Sequence, residues 1–147
     1  MNRADGATYV GQRLGAYLSA VNRTAADSAG NLQPVIDDAL RALGYGAADI
    51  ATAAPAGDED EEDFRVQLAY RAMVQIVRDL GTIINVSTGG DSFSLAGIRA
   101  NAEKDLLSAA ADVLLRFGTL GVVGGDGDDV FATIDLNMLD DSWLVTS

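Results

Sequence analysis

Cysteine and histidine are both missing from this chain. Without cysteine there is neither a disulfide framework nor a thiolate metal site, and the redox compartment is left open. Without histidine the commonest general base, the commonest transition-metal ligand and any nucleophile–histidine pair disappear together. Catalysis would fall to carboxylates, tyrosines, hydroxyls or the single lysine, Lys104. No grouping of these reads as a catalytic, cofactor-binding or metal site, so the expectation is a protein that is not an enzyme and holds no cofactor. Basic residues are scarce as well: ten against 22 acids, for a formal charge of −12. Such a surface repels nucleic-acid phosphates and anionic membranes. Long apolar runs are also lacking. Nothing approaches the roughly 20 residues of a membrane span, and no basic segment precedes a signal-type core. The expectation is a soluble protein, made where it is used.

What is present is enough for one folded domain: 147 residues, of which 48% are hydrophobic. The stretch that organises the chain runs from Asp63 to Gly118. In its first arm Phe64, Leu68, Ala72, Ile76 and Leu80 recur in i, i+4 steps. Val66, Met73, Val74 and Val77 widen that stripe, which predicts a helix contacted on more than one side. With Asp63 as N-cap and Gly81 as the residue that stops it, about 18 residues would span roughly 27 Å. The second arm begins at Ser92 or Ser94, and Leu95, Ile98, Ala102, Leu106, Ala109, Ala110, Val113, Leu114 and Phe117 form one apolar face before Gly118. The small residues on that face permit close helix packing. Between the arms, Ile83, Ile84 and Val86 followed by Gly89-Gly90-Asp91 predict a short extended finger or hairpin. That glycine turn lacks the Gly-Lys-Ser/Thr ending of a phosphate-binding loop and does not fit GxGxxG.

Ahead of this unit, Asp5 can cap a helix over Thr8–Val21 with Val10, Leu14, Tyr17, Leu18 and Val21 on one face. Gly11 and Gly15 weaken it by about 1 kcal/mol each relative to alanine and read as tolerated. After a loop at 22–30, Asn31 caps a second helix whose buried stripe is Leu32, Val35, Ile36, Ala39, Leu40 and Leu43. Pro34 lies in its first turn and Gly44 ends it. An acidic loop over about 47–62 leads into six consecutive acids, Asp58–Asp63. Their plain reading is a solvated linker that also complements the N-terminal dipole of the long helix, and the sharper one is a patch aimed at a basic partner or a DNA channel.

At Gly118 the character changes. From there to the end there are six aspartates and no Lys or Arg, and Val130, Ala132, Ile134, Leu136 and Met138 alternate as in a strand. The segment Gly124–Phe131 fits one calcium-binding nonapeptide, but that architecture shares calcium between stacked repeats and only one copy is present. A Gly/Asp hinge is the reading adopted. Burying Phe131, Ile134, Leu136, Met138, Leu139 and Trp143 is worth roughly 9–18 kcal/mol gross. Ordering about 17 residues costs about 1–2 kcal/mol each. Folding back on its own domain would be near break-even, whereas adding to another chain also gains main-chain hydrogen bonds. The stretch therefore reads as an assembly arm, with Val130, Phe131, Ile134, Leu136, Met138, Leu139 and Trp143 as its partner-binding residues.

The layout so described is a modest first helix, then LQPVIDDALRALGY. It continues with the long LAYRAMVQIVRDLGTIINVSTGGDSFSLAGIRANAEKDLLSAAADVLLR unit and an extended tail. It resembles the head-to-tail adaptor (connector, or head-completion) proteins of long-tailed bacteriophages and related viruses. That resemblance implies a mainly α fold, a small helical bundle built on a long antiparallel helical hairpin with a short extended finger and an extended C-terminal arm. Residues 1–117 would be the adaptor domain, and 118–147 the hinge and arm. It further implies a homo-oligomeric ring, commonly of twelve, in the virion neck. The ring would sit between the portal protein and a tail-side neck protein (a stopper or tail terminator), with genome DNA passing through its channel and no membrane involved. Such proteins catalyse nothing, hold no cofactor and grip the portal with a C-terminal segment. The acidic run and the Gly/Asp hinge match nothing in that family. The competing reading from charge alone is a small acidic DNA mimic that inhibits a nucleic-acid-binding protein.

Overall fold

The computed structural model of the chain describes residues 1–86 and 90–120. Within these the fold is mainly helical: α1 (Arg3–Ala20), α2 (Gln33–Ala42), a 3-10 turn at Ile50–Thr52, α3 (Asp58–Val86) and α4 (Gly90–Phe117). No strand occurs among the described residues.

α1 begins five residues before the expected Thr8, because Asn2 rather than Asp5 is its cap. The Asn2 side chain accepts the Asp5 N–H at 2.8 Å, and the Asp5 carboxylate accepts the Asn2 N–H at 3.1 Å. This reciprocal box satisfies two N–H groups that the helix cannot pair internally. Gly6, Ala7, Val10, Leu14 and Leu18 form the buried face. Helical geometry breaks at Leu14 (φ −123°, ψ 18°) and resumes, leaving a kink. Asn31 likewise does not cap α2, whose first residue follows Leu32. It ties the preceding loop instead, accepting the Thr24 N–H and donating to Ser28, both at 2.8 Å. The far end of α2 is as expected. Gly44 takes φ +98°, Tyr45 N–H donates to Leu40 and Gly44 N–H to Arg41, the two bonds of a Schellman stop.

α3 is the element the others share. α4, α2 and α1 each pack more extensively on α3 than on one another. Phe64, Leu68, Tyr70, Ala72, Met73, Val74, Ile76, Val77 and Leu80 are all buried, so the widened stripe does reflect contact from several sides. At 29 residues and about 44 Å, α3 is much longer than expected at both ends. It starts at Asp58, so residues 58–62 are helical rather than part of a loop. Four of the acids lie in the first turn, where the positive helix end favours them. It also runs through Gly81. A Cβ at that position would meet the Arg99 guanidinium at an ordinary 3.5 Å contact, and the helix continues past this glycine, so it is not a stop.

Residues 82–86 and 90–94 are helical, so the expected extended finger is replaced by helix on both sides of residues 87–89. Ile83 packs on the core from α3, and that burial outweighs its local β preference. α4 runs opposite to α3. Arg116 near its end pairs with Asp63 near the start of α3, while Arg99 lies at Gly81. Ala102, Leu106, Ala109, Ala110 and Val113 are its buried face, and Leu114 is half-buried beside it. Gly118, at φ +76° with its N–H on Leu114, caps α4.

Of the two glycines in α1, Gly11 has a definite task. A Cβ there would lie 2.4 Å from the Cβ of Ala25, whereas Gly15 has nothing within 4 Å. Ala25 sits in the loop that Arg23 holds to α3 through Asp79. Gly15→Ala should therefore gain up to about 1 kcal/mol from helix propensity. Gly11→Ala should lose about 1 kcal/mol or more, the overpacking penalty exceeding the same gain. Denaturant unfolding of both variants checks the opposite signs. In the same measurement Leu68→Ala should cost about 2–5 kcal/mol, and Leu68→Asp should abolish the cooperative transition.

Candidate functional site

The residues expected to bind partners, Val130, Phe131, Ile134, Leu136, Met138, Leu139 and Trp143, lie outside the described residues, as does the Gly/Asp hinge from Gly121 onward. The described surface carries two features of opposite sign.

The first is the acidic start of α3. Asp58, Glu59 and Asp60 are exposed, but the other half of the run is engaged within the chain. Glu61 accepts from the N-terminal ammonium at 2.8 Å and also pairs with Arg65. Glu62 pairs with Arg65, and Asp63 with Arg116. The ammonium group holds the Glu61 carboxyl below its usual pKa. Arg116 also reaches the Glu59 carbonyl, and the ammonium the Pro55 carbonyl. The run thus fastens the start of α3 to the first residue and to the end of α4.

The second feature is a groove of about 530 Å³ between α2 and α3, which was not among the sequence-based expectations. Its polar lining includes Asp38 and Arg41 from α2 and Arg71, Gln75 and Arg78 from α3, against an apolar wall that includes Val35 and Val74. Arg71 is only 3% exposed. Its Nε donates to Gln67, equally buried, at 3.0 Å, and its guanidinium lies 5.8 Å from the Tyr70 ring centre. Burial lowers the Arg71 pKa while the Asp38 carboxylate pushes it back up. Burial likewise raises that of Tyr70. Arg41, 58% exposed, pairs with Asp38 at 3.0 Å. Nε and Nη2 of Arg78 are shut off from solvent and have no hydrogen-bond acceptor among the described residues.

The second α2 acid, Asp37, is turned to Arg3, which also pairs with Asp27 and donates to the Ile50 carbonyl. Asp37 also lines the groove, so three arginines stand there against two carboxylates, one of which is paired with Arg3 from outside the groove. A chain of net charge −12 is locally positive here. Planar guanidinium groups against an aliphatic wall suit an anion with an apolar flank, above all a carboxylate. Among the described residues no three His, Cys, Asp or Glu side chains are grouped to hold a metal. A signal for the groove did exist in the sequence. Arg71, Gln75 and Arg78 fall at i, i+4, i+7, a polar stripe along an otherwise apolar helix.

The Arg3 cluster makes acid stability testable. The Arg3 hydrogen bond holds Asp27 below the ordinary value of 3.8, so this contribution is full above pH 3.8 and fades as pH falls through the depressed value. Asp27→Asn should destabilise by about 0.5–1 kcal/mol near neutrality, and the gap from wild type should close in acid. A gap that stays constant across a pH series of thermal melts would rule this linkage out.

No protein-family model matches the chain, and no curated protein or solved structure matches it.

Proposed function

We propose that the protein is a structural subunit of a virion neck, a head-to-tail adaptor. In this reading it forms a homo-oligomeric ring, twelve copies in the commonest arrangement, between the portal protein and the tail-side stopper or tail terminator. DNA passes through the ring's acidic channel without being held. The protein is made in the host cytoplasm and catalyses nothing. A helical hairpin of α3 and α4 forms the body, and residues 118–147 the arm that grips its partner.

The observation that carries this reading is where the helical body ends. Among the described residues the buried core draws on Ala7 to Val113, and α4 closes at the positive-φ Gly118. The chain changes composition at that same glycine, losing every basic residue and gaining an alternating apolar stretch. In this reading those apolar residues serve a surface on another chain.

Two measurements test it together. Purified particles should contain the protein at the copy number of one ring. Truncation after Gly125, and Trp143→Ala alone, should remove it from particles and from reconstituted portal rings. The melting temperature of the isolated subunit should stay within a few degrees of wild type, since in this reading the indole is buried at an interface and not in the subunit's own core. Absence from particles, together with tight salt-sensitive capture of a basic DNA-binding protein, would favour the mimic. Loss of the monomer fold on truncation would make residues 126–147 part of the subunit's own core.

A further inference from the structure

We propose that the groove between α2 and α3 receives the acidic segment Asp135–Trp143 of a second copy of this chain, so that each subunit both extends an arm and accepts one. This rests on the reading of residues 118–147 as an assembly arm and gives that arm an address.

Three observations lead to it. First, Arg78 presents buried Nε and Nη2 donors without an acceptor among the described residues, in a cavity that Arg41 and Arg71 also line. A shielded cationic group left without a partner is costly, and a carboxylate in the groove would offset its charge. Second, the charges match. The groove has an excess of arginine, whereas the segment carries Asp135, Asp140 and Asp141 and no basic residue. Two surfaces of one strongly acidic chain attract each other only where one reverses sign, and this groove does so. Third, the apolar part matches as well. Leu136, Met138, Leu139 and Trp143 are interleaved with those aspartates, and the exposed Ala29 and Pro34 offer aliphatic surface beside the guanidinium groups. At about 530 Å³ the groove is of a size to take a few side chains of such a segment and not the whole arm.

Reach does not restrict the pairing. From Gly118 to Asp135 an extended chain spans up to about 56 Å, well beyond the length of α3. The arm can therefore leave its own subunit and enter the groove of another.

The test uses the full-length chain with a photo-crosslinking amino acid in place of Ser142, assembled from an equal mixture of light and heavy-isotope protein. Cross-links should map to the α2 and α3 segments around Pro34–Arg41 and Arg71–Arg78 and should join light to heavy chains. The double variant Arg41→Glu, Arg78→Glu should lower the cross-link yield about tenfold or more. Combining it with Asp135→Arg, Asp140→Arg and Asp141→Arg should restore the yield, which a merely misfolded groove would not allow. A melt of each variant accompanies the cross-linking. Cross-links that land elsewhere, that join only residues of the same copy, or that survive charge reversal undiminished would each overturn the inference. Particle incorporation of the same proteins separates the two levels. A protein still present in the neck while its cross-links miss the groove refutes the groove and leaves the adaptor reading standing. Groove cross-links in a protein absent from particles would do the reverse.

Discussion

The burial of α3 governs the rest of the molecule. A helix covered by three neighbours has to be apolar around most of its circumference, and from Phe64 to Leu80 it is. Its partners are matched to that demand. α4 presents Ala102, Ala109 and Ala110, whose small side chains let two long helices approach closely. α1 presents Gly6, where a Cβ would lie 3.1 Å from Leu68 and 3.2 Å from Phe64. α2, at ten residues and about 15 Å, cannot cover the full length of α3. Arg71, Gln75 and Arg78 fall on the α3 stripe that borders it, and the groove is the surface left between a long helix and a short one.

Arg71 shows how the polar stripe is tolerated. A guanidinium that is 97% covered would be costly alone, but its Nε is bonded to Gln67 and the Asp38 carboxylate acts on it electrostatically. One turn further on, Gln75 donates to Asp79 at 2.8 Å, and Asp79 also holds Arg23 of the loop before α2. The polar stripe thus connects α3 to α2 and to that loop, and it continues into Arg78, whose buried donors lack an acceptor among the described residues. Contacts at the ends of the bundle follow a similar rule. Tyr17 of α1 donates to Asp105 of α4 at 2.5 Å, and its pKa is pushed up to about 12, first by burial and then by that carboxylate.

The helical character, the buried stripes and the glycine stops at Gly44 and Gly118 were legible because each follows from local periodicity or from a residue that tolerates positive φ. The extents of the helices were not. Asp63 looked like a cap because acids suit helix starts, yet the same preference extends back over five more residues to Asp58. Deciding between those starts takes the ion pairs to the N-terminal ammonium and Arg116, which sequence spacing does not display. Gly81 read as a stop, yet α3 runs on through it to Val86 with α4 packed alongside. The β-branched residues after it are helical for the same reason. Gly11 read as tolerated, and only the position of Ala25 reveals its necessity. The groove went unseen because its residues come from two helices and their excess of positive charge is hidden in a chain total of −12.

That total bears on any assembly this chain enters. Identical subunits of charge −12 repel one another, and the repulsion grows with every copy added to a closed ring. Salt reduces it beyond roughly 8–10 Å but leaves contacts at the interface itself. A self-association that depends only on apolar burial has to overcome this repulsion at each new contact. One that places carboxylates of one subunit against guanidinium groups of the next converts part of the same charge into attraction. The uneven distribution of the ten basic residues gains significance from that contrast. Three of them line a single groove, none lies beyond Arg116, and the acidic residues after Gly118 have no basic neighbour in their own stretch of chain. In the assembly proposed above, apolar residues give the arm its affinity, and the charges decide which surface it can approach.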